Sequence, residues 1–256
     1  MENGRITFHC NGLVRGLVNG NDTWWYVTGS KVNFCNTVAS NACGWWKITN
    51  GRVDFDFSGL AENAYGWWKI SNGQVDFSYV GYEQNGSNWW YVYGGQVCFQ
   101  ATDVLPGTVG GQYGWWKVCE GKVNFDDDVC ENAYGWWKIT TGKVDFQYTG
   151  LAQNACGWWM IQNGHVNFGS NGLVDNGNGW WLVKNGCVDF TYNGLVDNGN
   201  GWWLIRNGYV DFNYNGLVDN GNGWWLVKNG CVDFFYQGYV QNECGVWWVS
   251  NGQVQF

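Results

Sequence analysis

Tryptophan is the residue type with the clearest chemical potential in this sequence. All 22 Trp residues occur as eleven adjacent pairs, and the first members of successive pairs are 21 to 23 residues apart, with one interval of 26. An indole ring can stack on a sugar ring or hold a cation against its face. A regular row of first-pair indoles could therefore form repeated binding sites, or it could seal one repeat against the next. The candidate row consists of Trp45, Trp67, Trp89, Trp115, Trp136, Trp158, Trp180, Trp202 and Trp224.

Catalytic and metal-binding patterns are not recognisable in the sequence. The only two histidines, His9 and His165, lie at different phases of the repeat, and neither has the spacing of a metal pair or of a nucleophile's base. Carboxylates such as Asp54 and Asp76 recur from unit to unit, as structural residues do and a single active site does not. We expect a non-enzymatic chain with no catalytic residues, no metal site and no cofactor.

A run of oxygen-bearing side chains resembles a calcium loop only superficially. It spans residues 175–179, Asp-Asn-Gly-Asn-Gly, with copies beginning at Asp197 and Asp219. An EF-hand loop needs further oxygen ligands and a terminal bidentate Glu, which are missing here. The sequence favours a Gly-rich turn at these positions.

The ten cysteines occupy several phases of the repeat. They are Cys10, Cys35, Cys43, Cys98, Cys119, Cys130, Cys156, Cys187, Cys231 and Cys244. A disulfide framework or a zinc site would recur at fixed spacing, and the sequence has no Cys-x-x-Cys. Most are interpreted as small residues at half-buried positions, although one or two disulfide bonds remain open.

The elements that must position the indoles follow from the period. A fixed spacing of about 22 residues is the signature of a repeat architecture. Asn-Gly stands between each Trp pair and a following Val-x-Phe in many of the repeats, as at Asn50-Gly51. Asn-Gly between alternating residues favours a type I′ hairpin turn, because both turn positions need a positive φ. We predict an all-β repeat solenoid, a superhelix of about eleven 22-residue β-hairpin units with Asn-Gly turns.

The hairpin register assigns the side chains to two faces. With Asn50-Gly51 as the turn, Trp46, Ile48, Val53 and Phe55 share one apolar face, since side chains alternate along a strand. The second Trp of each pair is therefore expected in the core. On the other face, opposite charges are expected to pair across the strands: Lys47 with Asp54, Lys69 with Asp76, and Lys138 with Asp145.

Composition limits the function classes. The 256-residue chain has a net charge of −8 and 45% apolar residues. A chain this acidic is a poor nucleic-acid ligand, it has enough apolar residues to form a core, and it has no run of about 18 apolar residues to insert into a membrane. We therefore expect neither nucleic-acid binding nor membrane insertion.

One array is expected over residues 1–256. Gln100–Tyr113 carries the only proline, Pro106, and is interpreted as an excursion or kink dividing the array into 1–99 and 114–256. Ile6-Thr7-Phe8 looks like the tail of a repeat whose front is missing, and the N-terminus lacks a signal peptide. The sequence is therefore interpreted as a fragment of a longer protein.

The segment Thr149–Trp159, followed by Asn163-Gly164, resembles the choline-binding and cell-wall-binding repeats of Gram-positive surface proteins. The resemblance implies a superhelix of hairpins, about three per turn, located extracellularly or on a bacterial cell surface. It also implies a cationic ligand held between hairpins in an aromatic cage.

Two departures from that family concern the cage itself. Where the family has a Trp, this chain has Leu60, Leu151, Leu173, Leu195 or Leu217, so one cage wall is missing. Where the family has a Met, this chain has a Phe, as at Phe55 and Phe190, which could supply a different wall.

Three functional hypotheses follow. The first is a non-catalytic binding and anchoring array that recognises a cell-wall polymer, a glycan or a host surface protein through repeated Trp-lined sites. The second is a structural stalk in which every Trp is used for packing. The third is the targeting module of a lytic enzyme whose catalytic domain lies outside this chain.

Overall fold

The structure, a computed structural model, describes residues 10–256, and within them the fold is all-β. The expected repeat tail at residues 6–8 and the histidine at position 9 lie outside these residues. In the part of the chain that is described, no helix could span a membrane. The chain divides into two compact units, one reaching to Asp126 with Thr141–Lys143, the other formed by Asp127–Thr140 with Val144–Phe256.

Strands follow one another in groups of three, two longer strands and one two-residue strand. Up to residue 126 they are β1 Gly12–Val18, β2 Asn21–Thr28, β3 Lys31–Val32, β4 Thr37–Asn41, β5 Gly44–Thr49, β6 Arg52–Val53, β7 Gly59–Asn63, β8 Gly66–Ser71, β9 Gln74–Val75, β10 Gly81–Asn85, β11 Asn88–Tyr93, β12 Gln96–Val97, β13 Asp103–Val109, β14 Gln112–Cys119 and β15 Lys122–Val123.

The same grouping continues to the end of the chain. From residue 127 the strands are β16 Asp128–Asn132, β17 Gly135–Thr140, β18 Lys143–Val144, β19 Gly150–Asn154, β20 Gly157–Gln162, β21 His165–Val166, β22 Gly172–Asp175, β23 Trp180–Lys184, β24 Cys187–Val188, β25 Gly194–Asp197, β26 Trp202–Arg206, β27 Tyr209–Val210, β28 Gly216–Asp219, β29 Trp224–Lys228, β30 Cys231–Val232, β31 Gly238–Asn242, β32 Gly245–Ser250 and β33 Gln253–Val254.

Each repeat is a three-stranded meander rather than a lone hairpin. In the repeat β7–β9, the Gly-Leu strand pairs with the Trp strand from Gly59↔Ile70 to Asn63↔Gly66, and the Trp strand turns at Asn-Gly into the short third strand. The third strand also pairs with the preceding repeat, through Trp46↔Gln74. Because a two-stranded hairpin is marginal in water, this shared pairing explains why the units stack. The predicted repeat solenoid is confirmed, and each repeat has three strands where a two-stranded hairpin was expected.

The Asn-Gly turns have the predicted backbone. Asn72 has φ 49° and Gly73 has φ 80°, both in the left-handed region that a type I′ turn requires. The amide of Gly73 donates to the carbonyl oxygen of Phe57, 2.8 Å away, in the segment that follows the preceding repeat's Val-x-Phe. Each such turn therefore contacts the preceding repeat as well as closing its own hairpin.

Residues around Pro106 form a long hairpin. Strand β13 pairs with β14 over seven positions, from Asp103↔Val118 to Val109↔Gln112, and Pro106 is opposite Trp115. The first hairpin, β1 with β2, has the same seven-position length. The wider Trp spacing of 26 therefore reflects a longer pair of strands rather than an irregular loop.

The deepest core residues flank the turn. Ile70 is fully buried and Val75, its partner across the strands, is 5% exposed; the corresponding Ile or Val is fully buried in most other repeats. Among the second Trp residues, Trp25, Trp68, Trp90 and Trp116 are buried, all in the first unit. In the last repeat Val246 takes the place of the first Trp and Trp247 that of the second, while Trp248 is 43% exposed. With Trp247 counted in this way, the other second-Trp residues of the described repeats are half-buried. The predicted apolar face is therefore correct at its aliphatic pair, Ile48 and Val53, where the core lies. The expectation of a buried second Trp is correct in four repeats only, and Phe55, at the end of that face, is 46% exposed.

Candidate functional site

Indole rings from neighbouring repeats meet in a corner. In the second unit, the ring centroid of Trp180 lies 5.2 Å from that of Trp203 and 6.0 Å from that of Phe212. Trp203 and Phe212 are themselves 5.6 Å apart. Trp180 belongs to one repeat and the other two rings to the next, so each corner is built at the junction of two repeats. This arrangement is called a Trp corner below.

Trp corners recur with nearly constant geometry. A first Trp contacts the second Trp of the following repeat at 4.8–5.2 Å and its Phe at 5.5–6.2 Å. The further members are Trp45 with Trp68 and Phe77, Trp67 with Trp90 and Phe99, Trp136 with Trp159 and Phe168, Trp158 with Trp181 and Phe190, and Trp202 with Trp225 and Phe234. The Phe of Val-x-Phe is thus one of the three rings of each corner.

The other members of the predicted row lie in comparable surroundings. Trp89 packs on the cluster that contains Trp116, Trp115 lies opposite Pro106, and Trp224 packs on the cluster that contains Val249 and Val254. All nine first-Trp residues are half-buried. They seal the repeats and still present part of each ring, so packing and ligand contact are compatible in the same residue.

Two Trp corners open into cavities of matching composition. One cavity of about 250 Å³ in the second unit is lined by Leu217, Trp224, Asn242, Cys244, Trp247, Val254 and Phe256. Its counterpart in the first unit, of about 130 Å³, is lined by Leu13, Trp24, Asn41, Cys43, Trp46, Val53 and Phe55. Each residue of one cavity has its repeat equivalent in the other. A leucine, Leu217 or Leu13, thus stands beside the rings in both cavities.

Acidic residues stand beside many first-Trp residues. The residue directly across the β-ladder from the first Trp is Glu62, Glu131, Asp175, Asp197 or Asp219 at Trp67, Trp136, Trp180, Trp202 or Trp224. The indole Nε1 of Trp67 donates to Oε2 of Glu62 at 2.9 Å. A carboxylate next to an aromatic face makes the local field favourable to a cation.

Cations of the chain itself occupy a different aromatic row. The ammonium nitrogens of Lys184 and Lys228 lie 4.2 Å from the ring centroids of Tyr192 and Tyr236, and Arg206 lies 4.5 Å from that of Tyr214. No Lys or Arg between residues 144 and 256 lies over a Trp ring. Between residues 144 and 256, Lys and Arg side chains therefore lie over tyrosine rings, and the Trp corners hold no positive charge of the chain itself.

Asparagine fixes the second Trp in some repeats and not in others. The Nε1 of Trp159 donates to Oδ1 of Asn154 at 2.9 Å, and the same bond forms at Trp46, Trp68, Trp137 and Trp247. In the repeats with the Asp-Asn-Gly-Asn-Gly turn, the buried Nε1 atoms of Trp181, Trp203 and Trp225 have no partner within the described residues. An unsatisfied buried donor costs about 1–3 kcal/mol.

The Asp-Asn-Gly-Asn-Gly turn is held by its own side chains. Oδ1 of Asp175 accepts the amide of Gly177 at 2.8 Å, and Oδ1 of Asn176 accepts the amide of Asn178 at 3.0 Å. These oxygens are engaged by the local backbone, as in an Asx turn. The favoured turn interpretation accounts for the residues of this segment.

The predicted charge pairs form differently from expectation. Lys47 Nζ donates to the carbonyl oxygen of Ile48, and Asp54 accepts from the hydroxyl of Thr49. Lys69 instead pairs with Glu83 at 2.8 Å. The predicted pairing of Lys69 with Asp76 is therefore wrong at the side-chain level, although the backbone register is correct. Lys47 and Asp54 form no direct ion pair, yet Asp54 is the main negative charge that favours the protonated form of Lys47.

Lys138 departs from its predicted partner in the same way, contacting Asp127 at 3.4 Å. The reason lies in the strand that the sequence analysis did not include. The first strand of a repeat and the residues just before it supply carboxylates and aromatic rings that compete with the turn-side Asp for the ammonium group. At Lys138 the carbonyl oxygen of Ile139 is a further acceptor, 2.7 Å away.

In the second unit, partly exposed ion pairs form between the strands of a hairpin instead. Lys184 Nζ contacts Oδ2 of Asp189 at 2.9 Å, and the hydroxyl of Thr191 donates to the other oxygen of that carboxylate at 2.7 Å. The Thr191 hydrogen bond, together with Lys184, lowers the pKa of Asp189 to about 2. At the equivalent Asp233, the hydrogen bond from Lys228 lowers the pKa in the same direction.

The remaining candidate residues have structural surroundings. His165 lies edge-on to Trp137, with ring centroids 4.7 Å apart, and its Nδ1 is 3.0 Å from the carbonyl oxygen of Val166. The ten cysteines are free thiols. Cys43 and Cys244 line the two matching cavities, a role that their shared position three residues before Trp46 and Trp247 could have indicated.

The chain is similar to known proteins in structure rather than in overall sequence. No curated protein sequence matches the chain. The structure is similar to that of CbpF in complex with ipratropium, with 16% sequence identity and a TM-score of 0.33, over 92% of this chain and 79% of that chain. It is also similar to the modular autolysin LytC from Streptococcus pneumoniae in complex with a synthetic peptidoglycan ligand, with 14% identity and a TM-score of 0.34.

That second similarity covers 86% of this chain and 46% of the LytC chain, so the present chain spans less than half of that protein's length. The family model of the choline-binding repeat matches seven segments. They are residues 15–33, 56–76, 78–98, 147–167, 169–189, 191–211 and 213–233. These segments make up more than half of the chain. The chain therefore belongs to the choline-binding repeat family.

Proposed function

We propose that this chain is a non-catalytic anchoring module whose Trp corners bind quaternary ammonium groups carried by a cell-wall polymer. The observation that carries this proposal is the Trp corner itself, three aromatic rings from two successive repeats whose centroids lie 4.8–6.0 Å apart. Such a corner offers the negative faces of several rings to one cation. The seven family matches support the choice of choline among cations.

Charge supports a cation as the ligand. Asp175, Asp197 and Asp219 stand across the ladder from Trp180, Trp202 and Trp224, and the whole chain carries a net charge of −8. A cation held by aromatic rings alone is bound by roughly 0.5–2 kcal/mol per contact. Each corner is thus a weak site, and useful affinity requires several corners on one polymer.

This function places the chain on a bacterial surface or in the extracellular medium, with residues 1–256 acting as one array. A glycan or a host surface protein is the alternative partner, and a lytic domain elsewhere in a longer protein would make the chain its targeting module. If every Trp corner is closed by packing, the chain is a structural stalk.

Calorimetric titration with choline tests the proposal. Wild-type protein should bind choline, and 3,3-dimethylbutan-1-ol, the neutral carbon analogue of choline, should bind far more weakly because it lacks the charge. The triple variant Trp180→Ala, Trp202→Ala, Trp224→Ala should lose several sites while its β-sheet circular dichroism persists.

A matched control is available in the last repeat. Trp248 is 43% exposed and contacts Tyr239 rather than a Trp corner, so Trp248→Ala should leave choline binding unchanged. Equal binding of choline and its neutral analogue would refute cation recognition. Absence of choline binding by the folded wild-type protein would leave the stalk as the better description.

A further inference from the structure

A wide groove in the first unit contains the Trp corner of Trp45 and Trp68 and differs from the other Trp corners in its chemistry. It has a volume of about 800 Å³ and runs over four successive repeats, from Asn11 to Gln96. Its aromatic walls are Tyr26, Trp45 and Tyr65, and polar side chains including Thr28 and Ser40 lie between them. This set of residues is called the neutral groove below.

The neutral groove lacks charged side chains. None of its lining residues is Asp, Glu, Lys or Arg. Where many first-Trp residues have an acid across the ladder, Trp45 has Ser40, while Trp67 in the next repeat has Glu62. The surroundings that favour a cation at Trp67 are therefore absent at Trp45, and a ligand of this groove need carry no charge.

Hydrogen-bonding groups in the neutral groove are available to a ligand. Within residues 10–256, the hydroxyls of Tyr26, Thr28, Ser40 and Tyr65 have no side-chain hydrogen bond, and the side chain of Tyr65 is 75% exposed. Gln96 donates its Nε2 to the carbonyl oxygen of Tyr65 at 2.8 Å, which leaves its amide oxygen as an acceptor. Hydroxyl and amide groups together can pair with sugar hydroxyls, which both donate and accept.

The aromatic rings of the groove are placed as stacking surfaces. Trp45 and Tyr65 have ring centroids 6.0 Å apart at an interplanar angle of 56°. Trp45 is held from behind by Trp68 and Phe77 at 4.9 and 5.9 Å, so its position costs little ordering entropy when a ligand arrives. Rigid aromatic faces flanked by neutral polar groups suit the apolar faces and hydroxyl rims of pyranose rings.

We propose that the neutral groove binds a neutral oligosaccharide, with sugar rings on Trp45 and Tyr65 and sugar hydroxyls on Thr28, Ser40 and Gln96. The array then has two specificities, neutral sugar at the corner of Trp45 and quaternary ammonium at the corners that have an acid across the ladder, such as those of Trp67, Trp180 and Trp202. This inference stands on the groove's own residues and holds whether or not the Trp corners bind choline.

Titration with two neutral trisaccharides, maltotriose and tri-N-acetylchitotriose, tests the proposal by calorimetry on the full chain. At least one should bind wild type, and Tyr65→Ala should weaken that binding at least tenfold. Tyr65→Phe should restore part of it, because the ring is kept and only the hydroxyl is lost. Ser40→Glu should weaken sugar binding by placing an unneeded charge at the groove.

Matched controls separate this site from the Trp corners. Tyr134 occupies the same position of its repeat and is also 75% exposed, so Tyr134→Ala should bind the trisaccharide as wild type does. The triple Trp variant of the second unit should keep sugar binding even where choline binding is lost. The proposal is overturned if neither trisaccharide binds the folded protein, or if Tyr65→Ala binds as tightly as wild type.

Discussion

Single residues divide into those that hold the fold and those that are free to meet a ligand. Ile70 is fully buried, whereas Val80 in the same unit is 56% exposed. Ile70→Ala should therefore lower the free energy of unfolding by about 2–5 kcal/mol, the usual result of removing a large aliphatic side chain from a core. Val80→Ala should change it little. Urea unfolding followed by circular dichroism checks both, and similar midpoints for the two variants would contradict the assigned core.

The carboxylate of Asp189 gives a residue-scale prediction about pH. Its pKa of about 2 in the folded chain lies below the unfolded value of about 3.9. The stability that follows from this difference is present above pH 4 and is lost as pH falls toward 2. The urea midpoint should fall over that range, and Thr191→Ala should raise the pKa of Asp189, measured by carboxyl carbon NMR. An unchanged pKa in that variant would show that the Thr191 hydroxyl is unimportant.

The same residue scale shows what the sequence could and could not predict. Alternation along the strand correctly placed Ile48 and Val53 together, and the buried pair is the result. The partner of Lys69 was not predictable, because Glu83 lies in a strand that the hairpin pattern omitted. Contacts made by the first strand of a repeat could not be predicted from a two-stranded hairpin. One of these is the position of the neutral Ser40 across from Trp45.

At the scale of elements, the Asn-Gly turn closes its own hairpin and also packs against the preceding repeat. A Cβ at Gly73 would lie 2.6 Å from the carbonyl oxygen of Asp54 and 2.6 Å from Cα of Phe55, both backbone atoms of the preceding repeat. Gly86, with φ 62°, has open space around it. Gly86→Ala should cost roughly 1–2 kcal/mol for the left-handed backbone alone. Gly73→Ala should cost clearly more, because it also forces neighbouring repeats apart.

Thermal unfolding of the two glycine variants distinguishes these costs. Equal losses would mean that the turn contributes only its own conformation and that repeat stacking depends on other contacts. The turn itself was the most predictable element, since Asn-Gly demands positive φ at both positions. The hairpin at Pro106 was not predictable, because proline and a widened Trp spacing favour a break, yet Pro106 occupies a paired position opposite Trp115.

At the scale of the whole molecule, the period decides what the residues can do together. A repeat of about 22 residues places equivalent Trp corners at Trp158, Trp180 and Trp202 with centroid distances to the next Trp of 5.0, 5.2 and 4.8 Å. The solenoid was predictable from this period, whereas ligand binding by the row of first-Trp residues stays a prediction. The acidic residues across the β-ladder from the first Trp, and the indole Nε1 donors that lack a hydrogen-bond partner, could not be predicted. Both depend on how the turns fold.

Multivalent binding is the corresponding prediction. A soluble polymer carrying many trimethylammonium side chains should bind the chain about 10²–10⁴ times more tightly than free choline, because linked sites gain effective concentration. Removing corners one at a time, with Trp180→Ala, then Trp202→Ala, then Trp224→Ala, should lower the polymer affinity stepwise while the affinity of each remaining corner for free choline stays constant. Calorimetry with both ligands gives the two quantities in the same protein.

Two outcomes would contradict the repeated-site mechanism. A single substitution that abolishes polymer binding would show that one corner dominates, and a polymer that binds no more tightly than free choline would show that the corners cannot be occupied together. Either result would replace the repeated-site mechanism, since the period would then serve packing and the ligand would be held at one place.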